Sequence, residues 1–321
     1  MRCLRRVGLQ AAQGKRFLGQ PAPSSWIRER RMDLTFFLDV LIGGLIMGGL
    51  YALIAMGLSL QYGVARVLNI SHGEFIMLGA FATYSLYSLF GVNPILSLVA
   101  SGPTVFLIGF LVHHTLFKRL RKLSPSIEAF EGSSLLASFG LMFIIQNLAL
   151  LSWGPDIRGY TYLADMVDFL GSINAANRIV ALLAAVVIVL IFYLFLLRAR
   201  LGKAIRAAAQ DVTTAQIMGV NIHWVLGLCF GFGALLAGLA GSLTSMMFEV
   251  TPLMGLPYTI IAIIAVVLGG LGNILGSLLG GLILGLIGNI VMYIHPGLSL
   301  IAYYLIFLLL LLIKPTGILG K

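Results

Sequence analysis

The chain has 321 residues, of which 60% are hydrophobic and 10% charged, and it carries a formal net charge of +10. Soluble proteins average about 25% charged residues, so the composition excludes a soluble globular domain and indicates an integral membrane protein. Nor does the positive charge point to nucleic acid: eight of the 21 Lys and Arg lie in the first 31 residues and most others flank apolar runs, the pattern that membrane orientation produces.

The opening stretch, MRCLRRVGLQAAQGKRFLGQPAPSSWIRERR, is basic and lacks the apolar centre of a signal peptide. It is expected to be an N-terminal extension (1–31), with Met32 as an alternative start, ahead of a single transmembrane domain spanning 32–321. A spanning helix needs about 20 mostly apolar residues. Such runs lie at 36–61, 70–91, 94–117, 133–153, 178–197, 223–247, 257–275, 276–294 and 298–313. The predicted fold is therefore all-α, a polytopic helical bundle of eight or nine spans. Continuous apolar runs, in place of ten-residue alternation, exclude a barrel.

The loops set an orientation. KRLRK (118–122), the stretch from Arg198 to Arg206 and the tail with Lys314 and Lys321 are basic, whereas 154–177 carries Asp156, Asp165 and Asp168 against Arg158. Nine spans starting outside at residue 32 place 11 of the 13 Lys and Arg beyond Met32 on the cytoplasmic side. The basic extension opposes that parity, which is why Met32 competes as the start. The other resolution is a cytoplasmic tail with one span miscounted.

Within YGVARVLNISHGEF (62–75), Ser71 and Glu74 have the spacing of a capping box at the start of the second span. Polar groups so close to hydrocarbon are costly and face a cavity or a partner. Asn69, His72, Gly73 and Glu74 are thus candidates for a translocation path, with a capped structural network as the plainer alternative. Gly44-x3-Gly48, Gly227-x3-Gly231, Gly276-x3-Gly280 and Gly281-x3-Gly285 are small-residue faces that let helices approach. Clustering of Gly269, Gly270 and Gly272 in VVLGGLGNILGSLLGGLILGLIGN (266–289) suggests a broken or re-entrant helix, and these residues join the candidate path with Asn289.

Other chemistry is poorly served. His113 and His114 are adjacent, and His72, His223 and His295 lack ligand partners at metal spacing, so no metal site is expected. Cys3 and Cys229 suggest neither a disulfide nor a CxxC site. The GxSG motif of an intramembrane protease is absent, as is paired Asp within spans. GxxxxGK[ST] is also missing, since Gly14-Lys15 and Gly202-Lys203 lack its spacing. No catalytic residue and no cofactor are expected in this chain.

RLGKAIRAAAQDVTTAQIMGVN (200–221) interrupts the apolar sequence with Arg200, Lys203, Arg206 and Asp211. Its helix-favouring run predicts a helix outside the membrane from Gly202 to about Met218, closed by Gly219 in a C′ position. Small residues at 204, 207, 208, 209 and 215 leave a slim face able to enter a partner's groove; a surface-lying amphipathic connector is the alternative. This stretch resembles the cytoplasmic coupling segment of ABC-importer permeases, in particular those for branched-chain amino acids. YALIAMGLSLQYGVARVLNISHGE (51–74), VVLGGLGNILGSLLGGLILG (266–285) and KPTGILG (314–320) look like that family's landmarks in the same order, covering nearly everything from about residue 40.

The resemblance implies a subunit of the bacterial inner membrane. It would pair with a second permease subunit, two cytoplasmic ATPases that use ATP-Mg, and a periplasmic substrate-binding protein. Gly202, Arg206, Ala208, Asp211, Ala215 and Gly219 match the coupling segment. Two positions depart from the pattern: Leu275 stands where the family often has Pro, and Asn289 where it often has an acidic residue. These bear on the substrate and keep related urea or short-amide permeases as an alternative. A stand-alone secondary carrier is the rival of another class, and the scarcity of charge within the spans argues against it.

Overall fold

The computed structural model describes residues 34–314 and 316–320; the extension 1–31, the Met32 start and Lys321 lie outside the described residues. In hydrocarbon every backbone polar group must find a partner within the protein, and long apolar runs do so as helices. Among the described residues, seven helical segments are long and apolar enough to cross a membrane. They are α1 (Leu34–Ala65); α3 (Pro94–Val112), which continues through a π turn (His113–Phe117) into α4 (Lys118–Leu123); α5 (Ile127–Trp153); α6 (Ala176–Arg198); α9 (Ile222–Ser245); α11 (Ile274–Ile294); and α12 (Ser299–Ile313), which follows a 3-10 turn at Pro296–Leu298.

The two remaining expected spans are different objects. α2 (His72–Phe90) has 19 residues but opens on His72 and Glu74, and α10 (Gly255–Gly269) has only 15. At 1.5 Å per residue α10 is about 22 Å long, less than the ~30 Å of hydrocarbon. Both begin in the interior of the bundle, at a point where their first turns touch: a Cβ at Gly73 would lie 1.9 Å from the Gly255 carbonyl oxygen.

α9 is buried on nearly every side and packs against α1, α2 and α3. The small-residue faces are its means of approach and that of its neighbours. Gly227 and Gly231 admit His114 and Phe106 of the α3 column; Gly276 and Gly280 lie against Gly269 and Ala265 of α10. The faces Gly44-x3-Gly48 and Gly281-x3-Gly285 meet one another between α1 and α11, where a Cβ on Gly285 would sit 2.2 Å from Gly48 Cα. By contrast α12 buries only Tyr303.

The acidic loop 154–177, expected to be merely polar, holds an antiparallel hairpin of β1 (Met166–Phe169) and β2 (Ser172–Ala175). Leu170 and Gly171, at φ 56° and 83°, make its tight turn. At this end Arg158 bridges to Val250, and the Tyr160 hydroxyl lies 3.0 Å from Ser245 Oγ. At the opposite end Arg66 reaches Glu131 at 3.9 Å and Arg121 stacks 5.6 Å over Phe130. There too Gly63 meets Gly272, whose turn is closed by Ile318 and Leu319 of the tail. The basic segments therefore share one end and the hairpin the other, the arrangement expected from the loops.

The segment 200–221 is not one helix. α7 (Arg200–Gln210) and α8 (Val212–Ile217) are separated by Asp211 in extended conformation, φ −152° and ψ 114°. The reason is chemical: the Asp211 carboxylate accepts the Thr213 backbone N–H at 2.8 Å and caps a new helix, a position where Asp is strongly preferred.

Candidate functional site

Residues 66–71 leave α1, turn at Arg66 (φ 53°) and run back beside it without helical structure. Irregular backbone is tolerated at membrane depth only where protein satisfies it or water fills a cavity. Here protein does so. Ser138 Oγ of α5 accepts from Ile70 N–H at 3.0 Å and donates to the Leu68 carbonyl at 3.2 Å; Thr259 Oγ1 of α10 donates to the Ile70 carbonyl at 3.0 Å and accepts from Gly73 N–H at 2.8 Å.

Around this backbone the polar side chains form a network. Gln61 Nε2 donates to the Phe230 carbonyl (3.1 Å), and Asn69 Nδ2 donates to Gln61 Oε1 (3.1 Å). His72 Nε2 lies 3.1 Å from the Ile54 carbonyl, and its Nδ1 lies 3.2 Å from Gln61 Oε1. The capping box does not form. The Ser71 hydroxyl donates to Asn69 Oδ1 at 2.6 Å, and Glu74 turns to accept from Gln146 Nε2 at 2.9 Å. Away from water both side chains bond other side chains, so neither caps the helix start. Asn69 is 1% exposed and His72 and Glu74 are fully buried, while Glu74 Oε2 has no partner. These groups act as a lock joining α1, α2, α5, α9 and α10.

The candidate path residues do not share one lining. Gly269, Gly270 and Gly272 form the close turn between α10 and α11 at the basic end. Gly270 (φ 107°) and Gly272 (φ 80°) need left-handed backbone, and a Cβ on Gly269 would lie 2.1 Å from the Gly276 backbone. Asn273 caps α11 by accepting Gly276 N–H, so a helix start stands beside Leu275 without proline. Asn289 is about four turns into α11, roughly 22 Å beyond Ile274 by helical rise. Its Nδ2 donates to the Val40 carbonyl at 2.7 Å, and it lines a cavity of about 280 Å³ at the hairpin end.

The six matched positions of the 200–221 stretch fall into two sets. Gly202, Ala208 and Ala215 are buried against the bundle; a Cβ on Gly202 would meet the Phe195 carbonyl at 2.4 Å. Arg206, Asp211 and Gly219 are exposed. Arg206 Nη2 donates to the Leu197 carbonyl at 3.3 Å. The Thr214 hydroxyl, with the backbone N–H groups of 214 and 213, holds the Asp211 carboxyl below the usual carboxylate range. Gly219, at φ 85°, closes α8 with bonds from 219 N–H to Gln216 and from 220 N–H to Ala215. Reading the sequence missed Ile217 and Met218, which stand 81% and 79% exposed at the tip of this arm. It also missed Gln61, Gln146 and Thr259, whose signal was available for the first two: an amide inside an apolar span.

Comparison with known proteins agrees with this architecture. Residues 40–314 match the family described as branched-chain amino acid transport system / permease component. The chain is 30% identical to the high-affinity branched-chain amino acid transport system permease protein BraD of Pseudomonas aeruginosa, over 90% of this chain and 97% of that one. It is 28% identical to LivH, the protein of the same description in Escherichia coli, over 89% and 96%. A probable branched-chain amino acid transport permease protein of Methanocaldococcus jannaschii is 30% identical over 73% of this chain and 75% of its own. No solved structure matches the chain significantly. With its apolar spans, its polar lock and its exposed basic arm, the chain is a multi-pass membrane protein that belongs to the branched-chain amino acid permease family of ABC transporters.

Proposed function

We infer that this chain is the translocation subunit of an ATP-driven importer for branched-chain or similar aliphatic amino acids in the bacterial inner membrane. It pairs with a second permease subunit, takes substrate from a periplasmic binding protein and draws its energy from two cytoplasmic ATPases that hydrolyse ATP-Mg. The observation that carries this reading is the α7–α8 arm. Gly202, Ile205, Ala208 and Ala215 seat it on the bundle, while Lys203, Arg206, Ile217 and Met218 project from it. Large bare apolar side chains beyond the spans, set among charges, suit a groove on a soluble partner.

The arm is continuous with α6 at one end and α9 at the other. Displacement of the arm by closing ATPases would therefore act on α9, whose Phe230 carbonyl holds Gln61 and the lock. A shift there moves the beginnings of α2 and α10 together and alternates access between the two ends.

The test is co-purification of both ATPases with the Ile217→Asp/Met218→Asp double variant and with Arg206→Glu. Membrane abundance should be unchanged, because these side chains are exposed, whereas ATPase retention and ATP-driven leucine uptake should fall at least about tenfold, as loss of central contacts at a small interface does. Full docking and uptake in both variants would overturn the assignment of the arm. Substituting Gly219 is a poorer probe, since its positive φ would strain any other residue.

A further inference from the structure

Two cavities meet at the hairpin end. The first, about 280 Å³, runs from the first turn of α6 down to Tyr51 and Tyr303 and is walled by Ile46, Met47, Ile261, Met292 and Leu300. Its charged group is Arg178, at the rim. The second, about 400 Å³, is polar and contains Glu249, Asn177, Ser245 and the Tyr160 ring. Met247 and Phe248 line both, so the two cavities share a wall. Combined, they fall within the range of roughly 300–1,000 Å³ that small-ligand sites occupy.

The polar groups there are under-used. Arg178 and Glu249 are exposed, and among the described residues neither makes an ion pair or a hydrogen bond. Asn177 is held by its Nδ2, which donates to the Met246 carbonyl at 2.8 Å, while its Oδ1 is buried without a partner. One cation, one anion and an apolar cavity thus flank the same two residues, Met247 and Phe248. That set is complementary to a zwitterion with a hydrocarbon tail. It does not suit a dianion, which calls for clustered cations, nor a sugar, which calls for many polar walls.

We propose that this paired cavity is where the permease first receives its substrate, an aliphatic α-amino acid. The Arg178 guanidinium takes the carboxylate, Glu249 takes the ammonium, and the side chain enters the apolar cavity between α1 and α11. The proposal rests on the importer reading above and adds a recognition site to it, distinct from the buried lock at Asn69–Glu74.

The experiment uses the assembled importer, purified without its binding protein, and a leucine analogue with a diazirine in its side chain. Illumination should cross-link it to peptides containing Met47, Ile261 or Met292, and excess leucine should compete. Arg178→Gln and Glu249→Gln should each cut labelling at least about tenfold, the usual consequence of losing a charge-assisted bond. Both should lower leucine uptake by the complete importer while leaving complex assembly and docking of the binding protein intact. Labelling confined to other segments, or unchanged in both variants while leucine is still transported, overturns the site and leaves the importer reading standing. Weakened docking of the binding protein with unchanged photolabelling also overturns it, since the two charges would then serve the protein partner. An unmutated complex that transports no leucine overturns both.

Discussion

At the scale of single residues, the most consequential side chain is Glu74, fully buried with one oxygen on Gln146 and the other unpartnered. Removing Gln146, the one side-chain donor to Glu74 among the described residues, should be costly, because the desolvated acceptor stays behind. Gln146→Leu is expected to destabilise the detergent-solubilised protein by about 1–3 kcal/mol in thermal unfolding. Adding Glu74→Leu should recover most of that loss, since two apolar groups leave nothing unsatisfied. Equal destabilisation by the single and the double variants would show that the pair contributes nothing specific. Asp211 gives a second case. Its carboxyl is held low by hydrogen bonds in the folded arm, so its contribution is present above the unfolded pKa and fades as pH falls through the depressed folded value. Amide protection factors across 212–218, corrected for the intrinsic pH dependence of exchange, should fall in acid and in Asp211→Ala at neutral pH, with no change in the transmembrane helices. The polar residues of 62–75 were legible in the sequence as anomalies, but their partners were not. Gln61 and Phe230 are 169 residues apart, and no local pattern joins them.

At the scale of elements, close approach of α1 and α11 depends on positions where nothing larger than hydrogen fits. Gly285→Leu would drive its side chain into the Gly48 backbone, which cannot rotate aside. Overpacking of a core typically costs 1–3 kcal/mol when side chains can yield, and a backbone obstruction should exceed that. The expected readout is loss of the protein from the membrane fraction. Gly140→Ala on α5 is the matched control, because open space surrounds that position; it should be neutral or stabilise the helix by up to about 1 kcal/mol. The small-residue spacing was readable from the chain, whereas which face meets which follows from tertiary pairing. Likewise the helical character of 202–218 was readable, and the break was not, because Asp211 had to be recognised as a cap in mid-run rather than as a charged residue on a continuing helix.

For the whole molecule, orientation follows from the segregation of basic segments and hairpin to opposite ends. With native cysteines removed, a cysteine at Asp168 should react with a membrane-impermeant reagent from outside intact cells, and one at Lys203 only after the inner face is opened. Reaction of both from the same side would invert or break the assigned topology. Apolar runs marked the seven helices that, among the described residues, are long and apolar enough to span, because burial in lipid demands such runs. They overstated the two segments at 70–91 and 257–275, because length and hydropathy do not reveal where within the membrane a helix begins. That interior start of α2 has a consequence for how the protein is made. Its hydrogen-bond partners Gln146, Phe230 (through Gln61) and Thr259 all leave the ribosome after it does. When the segment from Asn69 to Glu74 first meets the bilayer, its partners on α1, Ile54 and Gln61, are in place, but those of Gly73 and Glu74 are not. It is expected to linger at the headgroup boundary until α10 has been synthesised, so that this early segment of the chain is among the last to reach its place, and a nascent chain halted before residue 255 should leave it accessible to water.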